Sequence, residues 1–417
     1  MSRILIEGGT PLSGVVDVHG AKNAVLPILA ATVLNEGVNV LHNCPDLRDV
    51  EITLDILRYL GAKAERDGDT LTIDTRGRLG SHIPEKLMRQ LRSSVVFLGA
   101  ILARNKHAKI SAPGGCELGP RPIDLHIKAL RELGVEIRET HGYILCSGLQ
   151  MHGSELHLSF PSVGATENIM LAAALTEGKT VIENAAKEPE IEDLAAFLNQ
   201  MGASVSGAGS SRIVIEGAKQ LHAAQHCVMP DRIVATTYLC CAAVTGGTVE
   251  VRRVRPEHLT ATISCLRECG CEVASGHDWV KLKAPERLRA VSEITTMPYP
   301  GFPTDAQSMF LAMLCTADGT SIIKETIFES RFKIVEELIR MGADVTVDGR
   351  MAVVRGVPKL SGAIVSAADL RGGAALAVAA LAAEGVTELE NPHYIDRGYE
   401  DLVQALALLG ANLRRIE

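Results

Sequence analysis

The sequence predicts a two-lobed α/β protein of six βαβαββ units, three to a domain. Its 417 residues exceed what one ordinary hydrophobic core organises, so two domains are expected. Hydrophobic residues make up 47% and aromatics only 3%, so the core must be built from Leu, Ile, Val and Ala. The third observation is a repeat. An apolar-Gly-small step closes a helix-like run at Gly61, Gly134, Gly202, Gly270, Gly342 and Gly410, at spacings of 73, 68, 68, 72 and 68 residues.

Each unit reads alike. A helix apolar nearly all round comes first, over 20–34, 91–104, 164–176, 231–245, 304–317 and 369–383, and is expected to be buried. A short strand follows, as in Val38-Asn39-Val40-Leu41, then a polar connection, then an amphipathic helix such as 191–201, where Ile191, Leu194, Leu198 and Met201 share one face. The repeated glycine suits a helix end that turns left-handed, and two further strands complete the unit. The strands around Ile4-Leu5-Ile6 and Val15-Val16-Asp17 precede the first buried helix and are expected to complete the last unit of the second half. Val228-Met229-Pro230 breaks the pattern, so domain I is expected over 1–21 plus 230–417 and domain II over 22–229. Two crossings make a hinge that permits closure on a ligand.

A net charge of -8 argues against non-specific binding to nucleic acid or an anionic membrane. The N-terminus lacks the apolar core of a secretory signal, and the apolar run 372–383 is too short to cross a bilayer, so a cytoplasmic protein is expected. The 10 cysteines are scattered, which argues against a disulfide framework in that compartment. Cys265, Cys269 and Cys271 are close together, but no Cys/His pair follows at a zinc spacing, and no metal is expected.

Charged residues recur at matched positions. Lys22, Arg92 and Arg371 open buried helices, where the helix dipole disfavours a cation unless an anion is bound. Arg48, Arg121 and Arg397 each lie thirteen residues before their repeat glycine, and Arg331 lies eleven before its own. Arginine's planar fork suits phosphate and carboxylate. Each cation taken singly also fits a solvated face, and recurrence is what favours a shared anion site. In the second unit the connection lengthens to Pro113-Gly114-Gly115-Cys116-Glu117-Leu118-Gly119-Pro120-Arg121, a shaped loop that exposes a thiol. Cys116 reads either as a general acid or nucleophile or as a spare loop cysteine. Asp231 and Asp305 share a first-turn position that needs no function, although the turn-rich Gly301-Phe302-Pro303-Thr304 favours Asp305 as a base.

At these residues the sequence resembles the enolpyruvyl transferases. The likeness covers essentially the whole chain and is carried by Gly20 to Ala24, Pro113 to Cys116, Arg121 to His126, Ser162 to Thr166, Pro230 to Arg232, Gly301 to Asp305, Asp369 to Arg371 and Ile395 to Glu400. It implies a two-domain inside-out α/β barrel. It also implies transfer of the enolpyruvyl group of phosphoenolpyruvate to the 3-hydroxyl of UDP-N-acetylglucosamine, with loss of phosphate through a tetrahedral ketal, in peptidoglycan synthesis. By resemblance, Lys22, Asn23, Arg92, Arg121, Arg331, Arg371 and Arg397 surround phosphoenolpyruvate. Arg92, Arg121, Pro122, Ile123, Asp124, Leu125, Ser162, Val163, Gly164, Asp305 and Ile327 contact the nucleotide sugar. Cys116 becomes the proton donor and fosfomycin target, with Asp305, Lys22 and Arg397 also catalytic. No cofactor, metal, nucleic acid, membrane or obligate protein partner is implied. Phe160 stands where some relatives carry a lysine, and Glu117 adds a negative charge that favours a higher Cys116 pKa.

Two rivals remain at this point: a shikimate 3-phosphate enolpyruvyl transferase of the same fold, and a catalytically silent nucleotide-sugar sensor. Cys116 and the Arg121 to His126 string favour the nucleotide sugar over the first, and the complete charged set counts against the second.

Overall fold

The computed structural model of the chain describes residues 2–111 and 123–417. These form two compact units, one of residues 2–19 with 230–417 and the other of residues 20–111 with 123–229.

The unit of residues 20–229 is organised around three apolar helices, α1 (Lys22–Ala31), α2 (Phe97–Asn105) and α3 (Val163–Ala173). The other unit has α4 (Arg232–Val244), α5 (Thr304–Leu314) and α6 (Leu370–Ala382), each packed on the other two. These helices are buried because they have no polar face to show water: in α5 every residue from Ala306 to Leu314 is buried. Each fully buried Leu, Ile or Phe among them stabilises the fold by roughly 1.5–3 kcal/mol. Small residues let the helices approach closely, most evidently in the Ala-rich α6. Asp369 starts α6 by accepting hydrogen bonds from the N–H groups of Arg371 and Gly372, both at 3.0 Å.

Among the described residues, six four-stranded sheets of one plan lie outside the helices, three in each unit. A strand of the repeat pairs in parallel with the strand leading into its unit and antiparallel with one arm of a hairpin. In the fifth unit Thr320–Lys324 pairs in parallel with Glu293–Thr295 and antiparallel with Met351–Arg355, which pairs in turn with Asp344–Asp348. Alternation along a strand such as Met351–Arg355, where Ala352 and Val354 are buried, turns one face onto the helices. Helices inside and sheets outside make each unit the expected inside-out barrel. The six repeat glycines all take left-handed backbone, with φ between 85° and 105°, so each ends its helix in a conformation that residues with a side chain rarely adopt.

One expectation needs correcting. Strand Arg3–Glu7 does complete the last unit, lying between Val386–Glu390 and Asn412–Ile416. Strand Ser13–Asp17 instead leads the fourth unit, in parallel with Thr248–Arg252. Its counterpart in the other unit is Gln225–Cys227, which pairs in parallel with Val38–His42 and closes the first unit from its far end. The leading strands are thus exchanged at the two crossings, because each must reach the sheet beside the helix it precedes in space rather than in sequence.

Candidate active site

In the unit of residues 230–417 the candidate side chains Asp305, Arg331 and Arg371 gather at the N-terminal ends of α5 and α6. Asp305 is the second residue of α5. Arg331, in the 3-10 turn Arg331–Ile334, donates from Nη2 to Asp305 Oδ1 at 2.5 Å, and Arg371 of α6 donates from Nη2 to Oδ2 at 3.1 Å. The two arginines are nearly closed off, with side chains 2% and 4% exposed, whereas Asp305 keeps 23%, so the carboxylate is the accessible member of the triad. Burial works to lower the Arg371 pKa, but Asp305, with Tyr399 and Asp231 beside it, holds it above its usual range, so the guanidinium stays charged. Arg371 Nη1 is buried with no hydrogen-bond partner among the described residues. The fully buried Tyr399 joins its hydroxyl to that of Thr237 at 2.7 Å. Arg397 ends the 3-10 turn Pro392–Arg397 and is half-buried, as is Ile327.

Asp231 and Asp305 are not equivalent, contrary to the sequence expectation. Asp231 is the N-cap of α4 and accepts from the N–H groups of Ile233 and Val234 at 2.8 and 3.0 Å. Asp305 lies inside the helix, past the cap, so its carboxylate is released to the arginines.

In the unit of residues 20–229, Lys22 opens α1 and its ammonium lies 2.7 Å from Asp49 Oδ2, with side chains 11% and 1% exposed. Asn23 follows it, half-buried. Arg92 begins the 3-10 turn Arg92–Val96. Ser162 caps α3, accepting from the Ala165 N–H at 3.4 Å, and Val163 and Gly164 form the half-buried first turn. Ile123 and Leu125 are half-buried and Asp124 is exposed at the start of the helix Asp124–Glu132. Against Gly164 lies the ring of His126: a Cβ added at Gly164 would meet its Cε1 at 3.2 Å, so a larger residue there would have to push the ring back by a few tenths of an ångström. Asn168 Oδ1 accepts from the Gly99 N–H, so its amide nitrogen is turned to Val95 O and to His126 Nδ1 at 3.0 Å. Nδ1 is therefore the acceptor and the proton sits on Nε2. Burial first, and Arg92 second, push the His126 pKa down to about 4, so the ring is neutral at physiological pH.

Cys116, Arg121 and Pro122 lie outside the described residues. Phe160, where a lysine was noted in some relatives, is 41% exposed.

The sequence reading missed the internal partners. It supposed that the first-turn cations wait for a bound anion, yet Lys22 and Arg371 already face Asp49 and Asp305. The available signal was Asp49 beside Arg48 at the start of an amphipathic helix, since a buried lysine requires a nearby carboxylate. Glu325 and Glu167 were also missed. Glu167 sits on the apolar α3, where burial, and then Glu190 and Glu188, hold its pKa well above the usual carboxylate range.

Residues 6–406 match the family model described as EPSP synthase (3-phosphoshikimate 1-carboxyvinyltransferase). The chain belongs to that family, the enolpyruvyl transferases. Among its relatives, UDP-N-acetylglucosamine 1-carboxyvinyltransferase 2 of Caldanaerobacter subterraneus subsp. tengcongensis is 56% identical over 416 residues, covering 100% of both chains. UDP-N-acetylglucosamine 1-carboxyvinyltransferase of Geobacter metallireducens is 46% identical over 417 residues, again covering 100% of both. Among solved structures, the enolpyruvyl transferase NikO from Streptomyces tendae superposes with a TM-score of 0.89 at 28% identity, covering 99% of this chain and 98% of that one. EPSP synthase from Acinetobacter baumannii shares the fold with a TM-score of 0.77 at 18% identity, covering 100% of both chains. Among the described residues no helix is long and apolar enough to cross a membrane.

Proposed function

We propose that this chain transfers the enolpyruvyl group of phosphoenolpyruvate to the 3-hydroxyl of UDP-N-acetylglucosamine and releases phosphate, the first committed step of peptidoglycan synthesis, in the cytoplasm. The observation that carries the choice of acceptor is the 56% identity over the full length of a relative named for that reaction.

The site chemistry supports the same reading. Asp305 is an acceptor-only carboxylate pinned at both oxygens by arginines, leaving it partly open to solvent. It takes the proton of the sugar hydroxyl as that oxygen attacks C2 of phosphoenolpyruvate, while Cys116 delivers a proton to the methylene carbon. The product of this addition is a ketal carrying phosphate. In the second half a proton leaves the new methyl group, the C–O bond to phosphate breaks and the double bond returns. Lys22, Asn23, Arg92, Arg121, Arg331, Arg371 and Arg397 are assigned to the phosphate and carboxylate, where fixed cations stabilise the departing charge. Ile123, Asp124, Leu125, Ser162, Val163, Gly164, Asp305 and Ile327, with Arg92, Arg121 and Pro122, are assigned to the nucleotide sugar. Cys116 is also assigned as the thiol alkylated by fosfomycin.

Phosphate release measured with phosphoenolpyruvate plus either UDP-N-acetylglucosamine or shikimate 3-phosphate tests the proposal. Release with the nucleotide sugar alone is expected, and its failure there would overturn the assignment.

A further inference from the structure

Glu325 follows the strand Thr320–Lys324 and is 1% exposed, and among the described residues none of its bonds is an ion pair. Oε1 accepts from the Thr296 hydroxyl at 2.9 Å and from the N–H groups of Ile327 and Phe328 at 2.8 and 3.0 Å. Oε2 accepts from the Thr304 hydroxyl at 2.9 Å. Every partner is a donor, so the group acts as a carboxylate, and the direction of each bond is fixed.

That direction has a consequence for Thr304. Its single proton points to Glu325, which leaves its oxygen lone pairs to accept from Arg331 Nε at 3.3 Å. Arg331 is then held at two points of its planar fork, Nε on Thr304 and Nη2 on Asp305. Its guanidinium also lies over the Phe328 ring at 4.9 Å, and the backbone of Phe328 is itself tied to Glu325. One buried carboxylate thus holds two of the groups that touch Arg331, Thr304 and Phe328, and the Ile327 segment as well.

We propose that Glu325 and Thr304 are positioning residues for the transfer reaction: through the Thr304 hydroxyl and the Phe328 main chain, Glu325 sets the plane of the Arg331 guanidinium against Asp305. The inference rests on Asp305 and Arg331 being reacting groups. A carboxylate that merely stapled the 325–328 segment would need only its backbone bonds, whereas the Oε2 to Thr304 arm reaches the reaction centre.

The arm is separable. Glu325→Gln keeps a carbonyl oxygen for the two backbone N–H groups but replaces Oε2 with a donor, so the Thr304 proton loses its acceptor and the direction that fixed the hydroxyl is released. Thr304→Val removes the hydroxyl at nearly constant shape, and Thr304→Ser restores it. Steady-state phosphate release by the full chain is measured for these variants and for the double variant Thr304→Val/Glu325→Gln. Thr304→Val is expected to lower kcat by roughly 10- to 100-fold, since small misplacements of reacting groups have effects of that order, with KM for UDP-N-acetylglucosamine within about twofold. Thr304→Ser recovers most of the rate. Glu325→Gln matches Thr304→Val, and the double variant is no slower than either single one, because both cut the same arm. Unchanged kcat in Thr304→Val, failure of Thr304→Ser to recover, or losses that multiply in the double variant would each overturn the proposal. Should Glu325→Gln not fold, the Val and Ser pair decides alone. A wild-type enzyme inert with UDP-N-acetylglucosamine sinks the acceptor assignment instead. The positioning claim is then read from Arg331 itself, whose Nε–H must lose hydrogen-exchange protection by NMR in Thr304→Val, and unchanged protection would refute it.

Discussion

Asp49 holds the ammonium of Lys22 at 2.7 Å from a position that is itself only 1% exposed, so the first cation of the first buried helix is neutralised from within its own unit. The pair offsets the cost that the helix dipole imposes on a cation in the first turn.

Removing one partner of such a pair leaves a desolvated charge behind. Asp49→Ala should destabilise the protein by roughly 3–5 kcal/mol, read as a lower urea midpoint with unchanged slope. Replacing both residues, Lys22→Met with Asp49→Leu, should recover much of that loss of stability but none of the activity.

Asp305→Asn keeps shape and loses basicity. Its expected effect is a fall in kcat of about 10²- to 10⁴-fold, the range typical of a missing general base, with circular dichroism unchanged. Wild-type turnover in this variant would remove Asp305 from its role.

The buried, neutral His126 makes stability depend on pH in a definite direction. Burial holds its folded pKa down to about 4 against 6.5 for a free imidazole, so the unfolded chain binds the extra proton between those limits. The contribution is complete above pH 6.5, and falls away as pH drops toward 4, by roughly 3 kcal/mol in all. Urea melts at pH 4.5 and 7 should differ less in His126→Gln than in wild type, and equal differences would contradict the assignment.

Thiol chemistry should be sharply selective. Burial raises the pKa of Cys44, Cys146, Cys241, Cys269, Cys271 and Cys315 to about 12, whereas Cys227 is exposed. Peptide mapping after brief neutral-pH maleimide treatment should find Cys227 modified and those six protected. Fosfomycin should add to Cys116 alone, and Cys116→Ala should abolish the adduct.

The parts of this molecule legible in the sequence are those written as periodicity. Six glycines announced six left-handed helix ends, and each apolar run became a buried helix, because both follow from local backbone and solvent preferences. The recurring cations were visible for the same reason. What could not be read was pairing across long separations. Nothing local tells that Arg331 and Arg371 converge on one carboxylate 26 and 66 residues away, or that Ser13–Asp17 serves the fourth unit and not the sixth. Glu325 was invisible because an acid after a strand looks like a solvated loop residue until its donors are seen.

The strand Arg3–Glu7, wedged between Val386–Glu390 and Asn412–Ile416, carries a lesson about the order of assembly. Residues 20–229 hold every strand of their own three sheets and can condense as soon as Gln225–Cys227 leaves the ribosome. The opening strand has to wait for a partner made almost four hundred residues later, and until then it presents two bare edges. On a ribosome, a strand made ahead of residues 20–229 is thus seated only after they have had time to fold.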